Sequence, residues 1–225
     1  MGSPESSLNG SVISATVLPG NGVAGALLKR LLDVLLSLVG LILSAPIWVA
    51  ISAAIWLESG APILIFQERS GRGGKPFKSI KFRSMIRNAD QFNFVEDLED
   101  DPRVTRVGRL LRKTALDELP QLLNILRGDM SFVGPRALYP VIEDKEKIRY
   151  RRIEEIPGFT TRSSVRPGLT GLAQVYAPRD VPRRHKFRYD LIYVKKQSLW
   201  LDLKLIALSF WITFTGKWES RERKL

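Results

Sequence analysis

The sequence has no cysteine and a single histidine, His185, among its 225 residues. The absence of cysteine excludes a disulfide framework and a thiolate metal site. With one histidine, a histidine-based triad and a zinc site are nearly excluded as well. The residues left for chemistry are carboxylates, cations and backbone groups.

Acidic residues are in the minority, with 23 Asp and Glu against 35 Lys and Arg, so the formal net charge is +12. Such an excess favours an anionic partner, which could be lipid head groups, a nucleotide or nucleic acid. The length predicts one domain, or one domain plus a membrane anchor. Because an anchor is present, as described next, lipid and nucleotide are favoured over nucleic acid.

One long stretch, residues 34–57, carries no charge and has Pro46 near its midpoint. The stretch is long enough to cross a bilayer as one helix, and the proline predicts a bend. Both flanks are basic, and positive charge favours the cytoplasmic side of a membrane. We therefore expect a re-entrant helix over 26–58 that enters and leaves by the same face, while a kinked spanning helix stays open. The basic flanks contain Lys29 and Arg30 on one side, and Arg69, Arg72, Lys75, Lys78, Lys81, Arg83 and Arg87 on the other.

The remainder predicts an α+β chain that is mostly helical, with a small β-hairpin and a helical catalytic domain over 59–196. A disordered tail is expected at 1–25 and a charged tail at 219–225. Residues 197–218 are apolar and rich in tryptophan but include Asp202, Lys204 and Lys217, so an interfacial helix is favoured over a spanning one. The pattern predicts hairpin strands at 61–68 and 77–83, an acidic helix or turn at 88–101, helices at about 107–113 and from about 117, a charged helix at 140–154, and a helix or loop at 183–196.

Asp117 and Glu118 are the best candidates for chemistry. They are adjacent carboxylates at the start of a helix whose leucines follow the i, i+3, i+4, i+7 spacing. One carboxylate could hold Mg²⁺ while the other attacks a phosphorus atom. The alternative is an ordinary N-terminal cap, since acidic residues stabilise helix starts in general.

A set of basic residues could neutralise a pyrophosphate near this pair. Arg136 and Arg166 are the stronger candidates, because each lies beside a Gly-Pro or Pro-Gly pair that restrains the backbone. The alternative is solvated surface charge beside an anionic membrane. The set consists of Lys81, Arg83, Arg109, Arg112, Lys113, Arg136 and Arg166.

Several ordered stretches resemble the bacterial sugar transferase family: KRLLDVLLS, FQERSGRGGKPFKSIKFRSM, DPRVTRVGRLLRKTALDELPQLLNILRGDMSFVGPR, RPGLTGLAQV and KFRYDLIYVKKQSLWLDLKLI. The resemblance covers about 28–214. It implies a monotopic phosphoglycosyl transferase, which moves a sugar-1-phosphate from a UDP-sugar to undecaprenyl phosphate. Such a protein works at the cytoplasmic face of the bacterial inner membrane, in the first membrane step of exopolysaccharide, O-antigen, capsule or glycoprotein glycan synthesis.

The resemblance also implies roles for individual residues. Asp117 corresponds to the covalent nucleophile, and Glu118 to the carboxylate tied to Mg²⁺, so the pair are the metal candidates. Substrate- and phosphate-binding positions correspond to Lys81, Arg83, Arg112, Arg136, Arg166 and Gln174. The helix break corresponds to Ala45-Pro46, where the family has Ser-Pro, with Ser44 one residue earlier. Ala137 replaces the second proline of the family's Pro-Arg-Pro turn.

Three rival interpretations remain. A non-catalytic membrane scaffold of a glycan assembly complex would use the two carboxylates only as helix caps. A peripheral module that binds nucleic acid or lipid would show salt-sensitive polyanion binding without Mg²⁺ dependence. A multi-pass transferase would need more than one strong apolar segment. The transferase interpretation predicts no nucleic-acid partner and leaves a homodimer open.

Overall fold

The computed structural model describes residues 22–89, 101–144, 149–178, 181 and 183–215. These residues are mostly helical, with three two-stranded sheets. The helices are α1 (Gly22–Ser59), α2 (Arg106–Thr114), α3 (Gln121–Arg127), α4 (Phe159–Arg162), α5 (Leu172–Tyr176), α6 (Arg183–Lys196) and α7 (Leu199–Phe214). The strands are β1 (Leu64–Ser70), β2 (Pro76–Phe82), β3 (Ser131–Val133), β4 (Val141–Asp144), β5 (Arg149–Arg152) and β6 (Gly168–Thr170).

Helix α1 is one continuous helix of 38 residues that includes Pro46. It begins at Gly22, so the last four residues of the predicted disordered tail are helical, and residues 1–21 lie outside the described residues. Among the described helices it alone is long and apolar enough to cross a membrane, by length and composition. A straight helix of this length would measure about 57 Å, roughly twice the hydrocarbon core of a bilayer.

One stripe of α1 is buried against the rest of the chain on both sides of Pro46. Its members are Asp33, Ser37, Ser44, Ile51 and Ile55, and their spacing of four or seven residues places them on one helical face. The remaining surface exposes large apolar side chains, among them Leu27, Ile42, Leu43, Val49 and Leu57. Both halves of the helix therefore dock on the same body and present apolar surface away from it.

Polar contacts also attach both ends of α1 to that body. Near its start, Lys29 donates to Asp202 (2.6 Å), and Arg30 donates to the carbonyl oxygens of Ile125 and Leu126 (2.6 and 2.8 Å). Near its end, the Glu58 carboxylate accepts from the backbone N–H of Arg106 (2.7 Å) at the start of α2.

The Ser44 hydroxyl donates weakly to the carbonyl of Leu41 (3.4 Å). This is not the carbonyl of Ile42, whose helical partner is removed by Pro46. The serine therefore does not compensate the missing bond directly.

Strands β1 and β2 form the predicted hairpin, antiparallel with Ile65 opposite Lys81. Phe82, at the end of β2, is almost fully buried and packs edge-on against Trp48 of α1, with ring centroids 5.1 Å apart. The strands begin and end within three residues of the predicted limits. The hairpin thus packs between α1 and α3.

The predicted charged helix over 140–154 is wrong. Strands β4 and β5 occupy this region and pair antiparallel, with Val141 opposite Arg152. The segment has only weak helical amphipathicity, and Val141, Ile142 and Tyr150 are residue types that favour extended backbone. The acidic helix or turn predicted at 88–101 lies mostly outside the described residues.

Helix α7 follows the Ser198 cap, whose hydroxyl accepts from the Leu201 N–H (3.2 Å). Its buried face carries Asp202, Leu205, Ser209 and Ile212, and Leu205 and Ile212 belong to the main core. Its other face exposes Trp200, Leu203, Phe210, Trp211 and Phe214. Residues 216–225, which include the predicted charged tail, lie outside the described residues.

Candidate active site

Asp117 and Glu118 lie in a single 3₁₀ turn, Leu116–Glu118, between α2 and α3. Helix α2 ends at Thr114 and is followed by Ala115, which has a left-handed backbone (φ 56°). Helix α3 begins only at Gln121, after Pro120. The sequence predicts the carboxylates in the first turn of this helix, but they precede it, and the turn that carries them packs against β2.

Glu118 is held by two cations from different parts of the chain. Its Oε1 accepts from Nζ of Lys81 (2.6 Å) and from Nη2 of Arg136 (3.0 Å). Burial opposes ionisation of this carboxyl, but Arg136 and then Lys81 outweigh it and lower its pKa to about 2. Glu118 is therefore anionic at any physiological pH.

Asp117 has the opposite electrostatic character, although it is the next residue. Its side chain is buried, and burial raises its pKa to about 6 against the favourable charge of Lys81; the Glu118 carboxylate raises it further. No described residue donates a hydrogen bond to it. Asp117 is therefore a poorly solvated carboxylate whose oxygens accept no hydrogen bond from the described residues, in the field of Lys81 and Arg136. These are properties that suit a nucleophile.

Asn124 positions Lys81 relative to the dyad, and sequence reasoning missed it. This asparagine on α3 is completely buried. Its Oδ1 accepts from the Ile80 N–H (3.0 Å) and its Nδ2 donates to the Lys78 carbonyl (2.8 Å), which fixes β2 against α3. An asparagine between the leucine pair and the isoleucine of α3 was the available signal.

Arg136 lies two residues after Gly134, where the backbone passes very close to Gly168 of β6. A Cβ built on Gly168 would come within 2.1 Å of the Gly134 nitrogen, so this crossing requires glycine. The Arg136 carbonyl accepts from Nη2 of Arg162, and Arg162 is itself paired with buried Asp190 (2.7 Å). The arginine backbone is therefore anchored while its half-exposed side chain reaches Glu118, even with Ala137 in place of proline.

The other predicted binding residues lie elsewhere. Arg112 is close enough to lower the pKa of Asp117, but its Nε donates to the Ser84 hydroxyl (3.0 Å). Arg83 is buried and donates to Ser59 Oγ (2.5 Å) and Gly60 O (2.7 Å) at the end of α1.

Arg166 donates to the Gly128 carbonyl (2.8 Å), beyond the far end of α3. Gln174 is buried in α5. The structure thus brings Lys81 and Arg136 into contact with Glu118 and shows no contact of Arg83, Arg166 or Gln174 with the dyad.

The groove beside the dyad contains residues that the sequence did not single out. Arg69 of β1 lies 3.5 Å above the Tyr139 ring and lowers the pKa of Glu118 as well. Gln121, the first residue of α3, is buried. The groove is lined by Arg69, Ser79, Lys81, Glu118, Gln121, Arg136, Ala137 and Gly168.

Comparison with known proteins places this site in context. The family model described as bacterial sugar transferase matches residues 24–216. A UDP-N-acetylgalactosamine-undecaprenyl-phosphate N-acetylgalactosaminephosphotransferase from Aeromonas hydrophila is 39% identical over 194 residues, 85% of this chain and 44% of the relative.

Two glucose-1-phosphate transferases described as UDP-glucose:undecaprenyl-phosphate enzymes are also similar. The one from Klebsiella pneumoniae is 40% identical and aligns over 88% of this chain and 42% of its own length. The one from Caulobacter vibrioides is 43% identical and aligns over 85% and 72%. The chain therefore spans less than half the length of the Aeromonas and Klebsiella relatives, and most of the Caulobacter one.

Proposed function

Because the chain belongs to the bacterial sugar transferase family, we propose that it transfers a sugar-1-phosphate from a UDP-sugar to undecaprenyl phosphate. The relatives named above act on these two substrate classes. The observation that carries the proposal is the contrast within the dyad. Glu118 is kept anionic by two cations, while Asp117 beside it is buried without a hydrogen-bond donor.

The proposed reaction has two displacements at one phosphorus atom. An oxygen of Asp117 attacks the β-phosphorus of the UDP-sugar and forms a P–O bond. The bond to the bridging oxygen breaks, and UMP leaves with that electron pair. A phosphate oxygen of undecaprenyl phosphate then attacks the same phosphorus and releases the Asp117 carboxylate, which completes the transfer.

Lys81 and Arg136 compensate negative charge during both displacements. They converge on Glu118 from β2 and from the turn after β3, so their positive charges are in place before the substrate binds. Preorganised charge of this kind is more effective than charge that must rearrange. Arg112 and Arg69 add positive potential, since Arg112 lowers the pKa of Asp117 and Arg69 that of Glu118.

Magnesium fits the donor set of the dyad. Mg²⁺ is commonly held by one or two carboxylates, with waters and substrate phosphates completing the shell. Both bonds that Glu118 accepts go to Oε1, and Asp117 accepts none from the described residues, so carboxylate oxygens remain. In the part of the chain that the structure describes, no group of three or more metal-binding side chains exists. Asp117 and Glu118 are therefore the proposed ligands, and the bound ion would offset pyrophosphate charge.

We propose that α1 is a re-entrant helix and that the protein lies at the cytoplasmic face of the bacterial inner membrane. Two observations support this placement. The buried stripe continues across Pro46, from Asp33 to Ile55, and polar contacts attach both ends of the helix to one catalytic body. The exposed aromatic face of α7 would lie at the same interface. Tags at the two termini should then be accessible from the same side of the membrane, and accessibility from opposite sides would contradict it.

The decisive experiment replaces Asp117 with Asn in the purified full chain. UMP release is measured against a panel of UDP-sugars, with and without polyprenyl phosphate, together with the mass of the protein after exposure to donor alone. The wild type should gain the mass of one phosphosugar with one sugar of the panel. Asp117→Asn should lose both the mass gain and transfer.

Glu154→Gln is the matched control, since Glu154 is an exposed carboxylate away from the groove. It should behave as wild type. Full activity of Asp117→Asn would contradict the covalent step, and absence of UMP release with every sugar would contradict the proposed function itself.

A further inference from the structure

A second cationic cluster lies at the opposite end of α3 from the dyad. It consists of Arg30 from α1, Arg72 from the β1–β2 turn and Arg166 from the loop before β6. Arg30 donates to the carbonyls of Ile125 and Leu126, and Arg166 donates to that of Gly128. Arg30 and Arg166 thus meet at the last turn of one short helix, and Arg72 lies beside the Arg166 loop, where it bonds to the Ser164 carbonyl.

The three guanidinium groups are close enough to act on one another. A Cβ built on Gly128 would lie 3.5 Å from Nη2 of Arg30, while the Gly128 carbonyl is bonded to Arg166. Burial lowers the pKa of Arg166, and the charges of Arg30 and Arg72 lower it further. The cluster therefore carries repulsion that an anion would relieve.

No described carboxylate pairs with any of the three arginines. Asp33 offsets part of the repulsion by raising the pKa of Arg166, but its Oδ1 accepts from Ser131 Oγ (3.0 Å) and the Phe132 N–H (2.9 Å) and not from an arginine. Asp129 follows Gly128 directly, and its Oδ2 accepts from Asn124 (3.1 Å). This contrasts with the dyad end, where Lys81 and Arg136 both pair with the Glu118 carboxylate.

Capping of α3 explains only part of the arrangement. Cations near a helix C-terminus are favourable, which accounts for Arg30 and for Nε of Arg166. It does not account for Arg72, which donates from Nε to the Ser164 carbonyl (3.0 Å) instead. The terminal nitrogens of Arg72 and Arg166 have no hydrogen-bond partner among the described residues, so they remain available to a ligand.

The position of the cluster indicates what the ligand is. Arg30 lies among exposed leucines of α1, Leu27, Leu28 and Leu31, directly before the uncharged segment. If α1 enters the membrane as proposed above, the cluster lies at head-group depth. Arginine pairs offer the forked donors that phosphate oxygens accept.

We propose that Arg30, Arg72 and Arg166 form a binding site for the phosphate of a lipid, distinct from the dyad and at the other end of α3. The site rests on the proposed membrane placement but not on the chemistry of Asp117. The lipid is either an anionic phospholipid of the surrounding leaflet or the polyprenyl phosphate acceptor before it reaches the dyad. Both present anionic phosphate oxygens at the membrane surface, in a diester for the phospholipid and in a monoester for the acceptor.

The test measures lipid binding and not transfer, so that its failure is separate from failure of the proposed function. The purified full chain in neutral detergent is titrated with short-chain phosphatidylglycerol or phosphatidylcholine, and bound lipid is counted by native mass spectrometry. We expect phosphatidylglycerol to bind more tightly than phosphatidylcholine. The double variant Arg72→Gln/Arg166→Gln should bind phosphatidylglycerol about tenfold more weakly.

Arg188→Gln/Lys195→Gln is the control, because it removes the same charge from exposed positions of α6 and should bind as wild type. If the double variant fails to fold, Arg72→Gln alone, at an exposed position, should still weaken binding. Farnesyl phosphate is then added as a competitor. If it displaces phosphatidylglycerol, the polyprenyl phosphate acceptor is a ligand of the site. If phosphatidylglycerol stays bound, the ligand is the phospholipid. Equal binding of the two phospholipids by the wild type, or wild-type binding by the double variant, would overturn the proposal.

Discussion

The two ends of α3 use the same residue types in opposite ways. At the N-terminal end, Lys81 and Arg136 are paired with Glu118, and the cations are fixed by the carboxylate that they ionise. At the C-terminal end, the hydrogen bonds of Arg30 and Arg166 to described residues go to backbone carbonyls. A seven-residue helix thus separates cations that pair with a carboxylate from cations that pair with backbone groups. The role of a basic residue therefore depends on the group with which it pairs, and the net charge of the chain does not reveal that group.

Lys81→Met is the substitution with the largest expected effect on the dyad end of α3. Removal of this cation leaves Glu118 with Arg136 alone and removes preorganised charge from the dyad. UMP release should fall about 10²–10³-fold, the usual effect of deleting one stabilising group. Arg166→Met removes a cation from the other end of α3 and should leave UMP release from the donor alone unchanged. A comparable loss in both variants would show that Arg166 acts at the dyad after all.

Asn124→Ala breaks the link between the helix and the hairpin. It leaves the Ile80 N–H and the Lys78 carbonyl without their side-chain partners in a buried position. The free energy of unfolding should drop by about 2–3 kcal/mol, measured by denaturant titration. Gln67→Ala is the control, since that amide is partly exposed and its oxygen accepts from Arg69. An equal loss of unfolding free energy in Gln67→Ala would show that burial of the Asn124 amide is unimportant.

The titration of the dyad in the metal-free protein sharpens the contrast between its two carboxyls. Burial raises the pKa of Asp117 to about 6, so its nucleophilic, ionised form is lost as the pH falls through that value. NMR of the metal-free full chain should show one carboxyl that titrates near pH 6 and that is missing from Asp117→Asn. Glu118, with its pKa lowered to about 2, should add no further step above pH 4. Bound Mg²⁺ should move the Asp117 step to lower pH, whereas a step near pH 4 in the metal-free protein would contradict the buried environment of Asp117.

Gly128→Ala gives the smallest expected effect, at the C-terminal end. Gly128 has φ 94° and closes α3, so a side chain there is strained by about 1 kcal/mol. Its Cβ would meet Arg30 only at ordinary contact distance. Gly73→Ala, with φ 66° and nothing within 4 Å, should cost the same in thermal unfolding. A much larger loss for Gly128→Ala would show that Arg30 tolerates no displacement from α3.

Much of the fold was predictable because its signals are local. The uncharged run predicted α1, alternation with a glycine-rich turn predicted the hairpin, and leucine spacing predicted α3. The region over 140–154 was misjudged because its weak periodicity did not distinguish a helix from paired strands. The start of α3 was placed too early because Pro120 suits the first turn of a helix, yet here it precedes one.

The candidate site was only partly predictable. Asp117 and Glu118 are adjacent in sequence, so their proximity needs no folding. Lys81 and Arg136 were grouped with them by residue type, and the structure brings both to Glu118. Arg83 and Arg166 belonged to the same predicted group, yet they point to the ends of α1 and α3. Nothing local distinguishes an arginine that will meet a carboxylate from one that will meet a carbonyl.

The sequence by itself determined the membrane-type helix, the hairpin, the acidic pair and the family, since each depends on neighbouring residues or on an ordered string of motifs. Only the tertiary structure decided which cations reach the pair, that buried Asn124 fixes β2 to α3, and that Arg30, Arg72 and Arg166 meet without an ion pair to any described carboxylate. The physical reason is the distance along the sequence over which each kind of interaction acts. Helix and strand preferences act over a few residues, whereas burial and charge pairing depend on chain segments that become neighbours only when the core packs.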